Sequence, residues 1–192
     1  ERLLHGYQFI LDGQSVVAGR TAQKVALRPK DEFRYGHNFW LDMETGFLLK
    51  HDTLDAQSRV LDRVQFTALN LAPSFRAEDF QPSKGSYAQH LTEITPKAIE
   101  SRWKFDWLPS GFAPVWRGAR VMTDQVTMML VSDGMASMSI FIEPASQDKN
   151  LSIMKMGATV AGSRTAVMNG EKYLLTVVGE VPQETVSRVI SA

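Results

Sequence analysis

"FRYGHNFWLDMETGFLLKHDTL", Phe33 to Leu54, is the stretch on which the fold turns. Phe33, Tyr35, Phe39 and Leu41 alternate with Arg34, Gly36, Asn38 and Asp42, the period of two that lays one face of a strand on an apolar interior. Trp40 breaks the pattern. "DMETG", Asp42 to Gly46, supplies turn formers, and "FLLKHDTL" is extended again, so the stretch reads as a β-hairpin.

Outward from this hairpin the same grammar repeats. "DAQS", Asp55 to Ser58, is a polar turn into "RVLDRVQFTAL", where Val60, Val64, Phe66 and Ala68 share one side and Arg63, Gln65 and Thr67 the other. Upstream, "YQFIL" and "TAQKVAL" are further strands parted by "DGQSVVAGR". About five strands are expected before Ala72. "APSFRAEDFQPSKGS", Ala72 to Ser86, lacks alternation and carries two prolines and a glycine; it reads as a linker with a helical turn in "SFRAEDF". The expected division is therefore 1–72, a linker at 73–86, and a second unit at 87–192.

In the second unit Thr95-Pro96 predicts an N-cap and a short helix toward Arg102. "QVTMMLV" and "MASMSIFIEP" flank the turn Ser132-Asp133-Gly134, and Asn169-Gly170 predicts another hairpin because both residues tolerate positive φ. Pro182 opens a terminal helix with Val186, Val189 and Ile190 as its apolar stripe. "WKFDWLPSGF", Trp103 to Phe112, is expected as one strand with Trp103, Phe105 and Trp107 on a core-facing side, followed by a Pro109–Gly111 corner. The fold class is mainly β and α+β.

Composition narrows the function. Among 192 residues, Lys+Arg and Asp+Glu both total 21, so no positive field favours nucleic acid. With 44% hydrophobic and 22% charged residues a packed core is expected. Cysteine is absent, which removes thiolate nucleophiles and Cys-type zinc sites. The sequence holds no run of eighteen apolar residues, and since it opens on Glu1 any targeting signal is expected to have been removed or to lie upstream. It contains no G-x-S-x-G elbow, H-E-x-x-H pair or phosphate loop, and His5, His37, His51 and His90 lack metal-ligand spacing. No catalytic residue, metal or cofactor is assigned. Eight of the nine methionines fall beyond residue 120, where they serve either core filling or an adaptable binding surface. The aromatic face of the first hairpin faces either a core or an apolar ligand.

Taken together, "VAGRTAQKVALRPKDEFRYGHNFWLDMETGFLLKHDTLDAQSRVLDRVQFT", "WLPSGF", "SDGMASMSIFIEP", "GATVAGS" and "VVGEVPQET" resemble the RseB/MucB family, periplasmic negative regulators of the sigma-E type envelope-stress sigma factor, alginate regulation included. The likeness runs from about Val17 to the C-terminus. It implies part of a LolA-like antiparallel half-barrel, entered partway, followed by a small α+β domain. It implies no enzyme but a periplasmic binding protein that shields the periplasmic segment of a membrane-spanning anti-sigma factor from regulated proteolysis and senses lipid or lipopolysaccharide-like ligands. Phe33, Tyr35, Phe39, Leu41 and Phe66 are the expected lipid-binding residues, and Trp116, Arg117, Met135 and Met138 the expected partner-binding ones. An incomplete half-barrel also favours self-association, a homo-oligomer, or pairing with a retained N-terminal fragment. The alternative is a periplasmic lipid or lipoprotein carrier of the LolA type, which has no need of the region carrying "WLPSGF" and "SDGMAS".

Overall fold

A computed structural model describes residues 2–82, 97–101, 103–122 and 125–191. A short helix α1 (Arg2–Gly6) leads into β1 (Tyr7–Val17), β2 (Arg20–Pro29), β3 (Gly36–Asp42), β4 (Leu48–Leu54) and β5 (Val60–Gln65). They pair antiparallel in chain order as a five-stranded sheet whose outer strands, β1 and β5, do not meet. The β1–β2 turn uses Ala18 and Gly19, both at positive φ, the conformation that matches the right-handed twist of the flanking strands. The five strands expected before Ala72 are present.

Two details of the hairpin differ from the alternation. Phe33 and Tyr35 precede β3, in an irregular bend. On β3 itself Asn38, Trp40 and Asp42 share the more deeply buried face, while Phe39 and Leu41 on the opposite face are only half-buried. Trp40 therefore does not interrupt the pattern; it anchors it, packing with Val17, Ala22 and Leu49 in a small core. Lys50 and Lys24 lie over its ring, the former 4.0 Å from the centroid. The polar residues beside Trp40 are buried because each has a partner. Arg20 makes a two-pronged bridge to Asp42, at 2.8 Å for each contact, and Arg28 Nη1 donates to Asn38 Oδ1 at 3.0 Å. Polarity alone misassigns such a face, since satisfied polar groups bury readily.

The helical turn expected in the linker stretch is a 3₁₀ turn at Ala77–Phe80. The helix expected after Thr95 is corrected. Thr95, Pro96 and Arg102 lie outside the described residues, and Lys97–Ile99 forms a strand, β6, paired with Ala119–Val121. A ladder with a segment some twenty residues away outweighs the local capping signal, as tertiary pairing commonly outweighs propensity. After β7 (Ala113–Pro114) and β8 (Ala119–Val121) come β9 (Thr127–Ser132), β10 (Ser137–Pro144), β11 (Ser152–Met156), β12 (Thr159–Met168) and β13 (Glu171–Gly179). The antiparallel order is β11-β12-β13-β10-β9-β8-β6, with β7 on β9. Both expected hairpins form, the second with Asn169 and Gly170 at positive φ.

Helix α2 (Gln183–Ser191) lies across this sheet and buries Thr185, Val186, Val189 and Ile190. Gly162 on β12 makes room for it: a Cβ there would stand 2.6 Å from a Val186 methyl. Trp103, Phe105, Trp107 and Leu108 pack against the same core, with lysine and aspartate exposed between the aromatics. They form a core seam as read from the sequence, but without a strand.

Candidate functional site

The two sheets meet at the bend before β3. Arg34 is wholly enclosed there, and its Nη1 donates to Asp133 Oδ2 at 2.6 Å, both side chains having no exposed surface. The same guanidinium reaches Asp31 and the carbonyl of Ser110, and it lies over the rings of Tyr7 and Phe112. Gly6 provides the space it occupies, because a Cβ at that position would collide with Nη1. Asp133 Oδ1 meanwhile accepts from the backbone N–H groups of Met135 and Ala136 and so closes the β9–β10 turn. The expected turn at Ser132–Gly134 is therefore also the anchor point of the first sheet. Three further contacts complete the seam: Thr185 Oγ1 donates to the Phe33 carbonyl at 2.9 Å, Asp62 accepts from the Ala158 N–H, and Phe33 stands edge-on to Trp107 with centroids 4.9 Å apart beneath Arg188.

A second feature is the outward face of the first sheet. The registers place Leu11, Val25, Phe39, His51 and Val64 in one row across all five strands. Its ends are open to solvent, Leu11 being 75% exposed and Val64 67%. Phe9 extends the apolar surface one pair along, opposite Leu27. The row's centre is stacked, with the Phe39 and His51 rings 4.5 Å apart and 9° from parallel. His37 Nδ1 lies 3.0 Å from His51 Nε2, so one nitrogen donates to the other.

Burial, and then the neighbouring His51, push the His37 pKa down to about 4. An imidazole in the unfolded chain titrates near 6.5, so the folded protein binds this proton less readily. Stability held above that pH is therefore lost as the pH falls toward about 4. Melting temperatures at pH 7 and pH 4.5 should differ more for the natural chain than for His37→Gln. An equal difference would show that the pair does not govern acid stability.

The expected lipid-binding residues separate. Phe39 and Leu41 lie on the outward face, and Phe66 stands just past β5 with its ring 5.4 Å from that of Phe47. Phe33 and Tyr35 do not belong to this face; they are in the bend at the seam, turned there by the contacts of Arg34 and Thr185. Leu11 and Val25 escaped the sequence reading, and Val64 was read only as sharing a side with Phe66, because only the strand registers align the three with Phe39.

The expected partner-binding residues separate as well. Trp116 and Arg117 line an open groove of about 620 Å³ with Trp103, Phe105, Leu108 and Val115. The Trp116 indole N–H is buried without a hydrogen-bond partner among the described residues, and Arg120 lies over its ring. Met135 is half-buried in the β9–β10 turn. Met138 has no exposed surface at all and sits in the main core. Its place among surface contacts is thus corrected: alternation along β10 sends Met138, Ile140 and Ile142 inward.

Comparison with known proteins gives consistent findings. A family model described as the MucB/RseB N-terminal domain matches residues 1–84, and one described as the MucB/RseB C-terminal domain matches residues 97–192. The sigma factor AlgU regulatory protein MucB of Pseudomonas aeruginosa is 35% identical over 98% of this chain, and the sigma-E factor regulatory protein RseB of Haemophilus influenzae 28% over 99%. The chain spans 60% of the length of each. Among solved structures, the Pseudomonas aeruginosa MucA/MucB complex superposes with a TM-score of 0.82 at 33% identity, covering 98% of this chain and 64% of that one. MucB in complex with MucA(peri) also gives 0.82, at 34% identity over 98% of this chain and 67% of that one. A crystal structure of MucB gives 0.65, at 30% identity over 99% and 63%.

Proposed function

The chain belongs to the MucB/RseB family, and from that premise we propose that it is a periplasmic binding module that holds the periplasmic segment of a membrane-spanning anti-sigma factor. The observation that carries this reading is the superposition, at a TM-score of 0.82 over 98% of the chain, on MucB bound to MucA. In this reading residues 1–72 complete a larger LolA-like domain, 73–86 link it, and 87–192 form the small domain. Bound partner is withheld from the protease that degrades it, and a lipid or lipopolysaccharide-like ligand on the outward face of the first sheet, at Phe39, Leu41 and Phe66, releases it. The apolar row through Leu11, Phe39 and Val64, half-buried at its centre and exposed at its ends, supports that assignment, since exposed apolar surface of this kind marks a binding site. The match of 97–192 to the C-terminal domain of the family disfavours the carrier alternative, which does not need this region.

Trp116, Arg117 and Met135 are the proposed partner contacts. An indole with an unused N–H beside an open aromatic groove suits a peptide carbonyl, and tryptophan and arginine are enriched among energetic anchors of interfaces. Calorimetric titration with the periplasmic anti-sigma segment of the same organism should give saturable heat. Trp116→Ala should weaken that binding by roughly tenfold or more while leaving the melting temperature within a few degrees. A folded chain giving no heat at high micromolar concentration would overturn the proposal.

A further inference from the structure

A cleft of about 390 Å³ opens at the seam, walled by the bend before β3, the β4–β5 turn, Lys155 of β11 and the start of α2. Neither the groove at Trp116 nor the outward sheet face contributes to it. Its lining carries four carboxylates, Asp31, Glu32, Asp55 and Glu184, and three cations, Arg34, Arg59 and Lys155.

Most of these charges are already spent. Arg34 is saturated by Asp133, Asp31 and the Ser110 carbonyl, and Arg59 is held by Asp55 at 2.7 Å. Glu32, Glu184 and Lys155 make no ion pair among the described residues. Tyr35 forms part of the wall, keeps only 4% of its surface exposed, and its hydroxyl has no hydrogen-bond partner among the described residues. Burial, and then the charges of Glu184, Asp55, Asp62 and Glu180, push its phenol up to about 12. The unspent charge around the phenol is therefore negative on balance, Lys155 being the one opposing group in the lining.

We infer that this cleft receives the guanidinium of an arginine side chain from a bound peptide, with the Tyr35 hydroxyl and the carboxylates of Glu32 and Glu184 as its acceptors. A buried polar group left unpaired costs free energy that a ligand donor recovers. A guanidinium offers five N–H donors in one plane, enough to serve a phenol oxygen and two carboxylates together. An anion would meet the unspent carboxylates and is disfavoured. The inference rests on the proposed role as a peptide-binding module, and it assigns one subsite on that peptide.

The test uses the full chain, labelled for amide NMR, with three probes: N-acetyl-arginine methylamide, its uncharged citrulline isostere and inorganic phosphate. The arginine probe should shift the amides of Tyr35, Gln57 and Gln183 saturably. The citrulline probe, and the arginine probe on the Glu32→Gln/Glu184→Gln chain, should bind roughly tenfold more weakly. That variant should melt like the natural chain, because both glutamates are exposed. Phosphate acting at the same amides, equal binding of both amino-acid probes, or no saturable shift overturns the inference. If the anti-sigma segment binds while arginine leaves these amides unmoved, the subsite fails and the module stands. If arginine enters but no anti-sigma segment binds, the module fails and the subsite stands.

Discussion

Asp133→Ala lowers the free energy of unfolding by about 3–5 kcal/mol, the range found when one partner of a buried ion pair is removed. Neither side chain of the Arg34–Asp133 pair has exposed surface, and their contact is 2.6 Å. Removing the carboxylate leaves Arg34 enclosed between the Tyr7 and Phe112 rings with Asp31 as its remaining anion. It also strips the acceptor from two backbone N–H groups in the β9–β10 turn. Denaturant unfolding measures the loss. A double variant, Arg34→Met/Asp133→Leu, should recover a substantial part of it, because replacing both buried charges by apolar groups avoids the uncompensated ion. An Asp133→Ala protein with an unchanged denaturation midpoint would mean that this seam contributes nothing to stability. Asp31→Asn should cost less, since Asp31 is partly exposed and shares the guanidinium with Asp133.

Met138→Ala lowers stability by about 2–5 kcal/mol, the spread for truncating a buried methionine or leucine. The side chain is fully enclosed in the main core, on the same inward face of β10 as Ile140 and Ile142. Its neighbourhood is tight: a Cβ on Gly179 would lie 2.8 Å from the Met138 Cγ, so little can collapse into the space left behind. Met135→Ala, three residues earlier in the turn, should stay within about 1 kcal/mol of the natural chain. The pair separates two roles in one measurement. If Met138→Ala melts like the natural chain yet loses partner binding, the residue is a contact after all and the burial of β10 must change on binding.

Particular residues show where the sequence was legible. Asn169-Gly170 turns the chain with backbone conformations few other residue types adopt, and the strands it joins were legible from that signal; the Ala18-Gly19 turn was not, because the stretch Asp12 to Arg20 read as parting the first two strands is mostly strand itself. The terminal helix was readable from Pro182 and the spacing of Val186, Val189 and Ile190. Lys97–Ile99 was not, because its strand exists only by pairing with Ala119–Val121. Trp40 read as a break in the pattern because its polar companions, Asn38 and Asp42, are buried by arginines from β2, ten and twenty-two positions earlier. Of the nine expected site residues, Phe39, Leu41, Phe66, Trp116, Arg117 and Met135 remain at accessible positions. Phe33 and Tyr35 went to the seam and Met138 to the core.

By itself the sequence determined the elements whose cause is local: where strands alternate, where the chain can turn, where the last helix begins, and, through its assembled motifs, the family. The tertiary structure alone decided what those elements bring together. Arg34 and Asp133 stand 99 positions apart, Phe33 and Thr185 152 positions apart, and nothing in either neighbourhood marks the other as its partner. Likewise Leu11, Val25, Phe39, His51 and Val64 become one row only once four registers are set. A slip of one residue in any of them would turn that strand's side chains to the opposite face. Register and long-range pairing are set by the closing of the whole sheet against its partner, not by the few residues on either side of a position, which is why the seam, its cleft and the exposed apolar row could be found only in the folded chain.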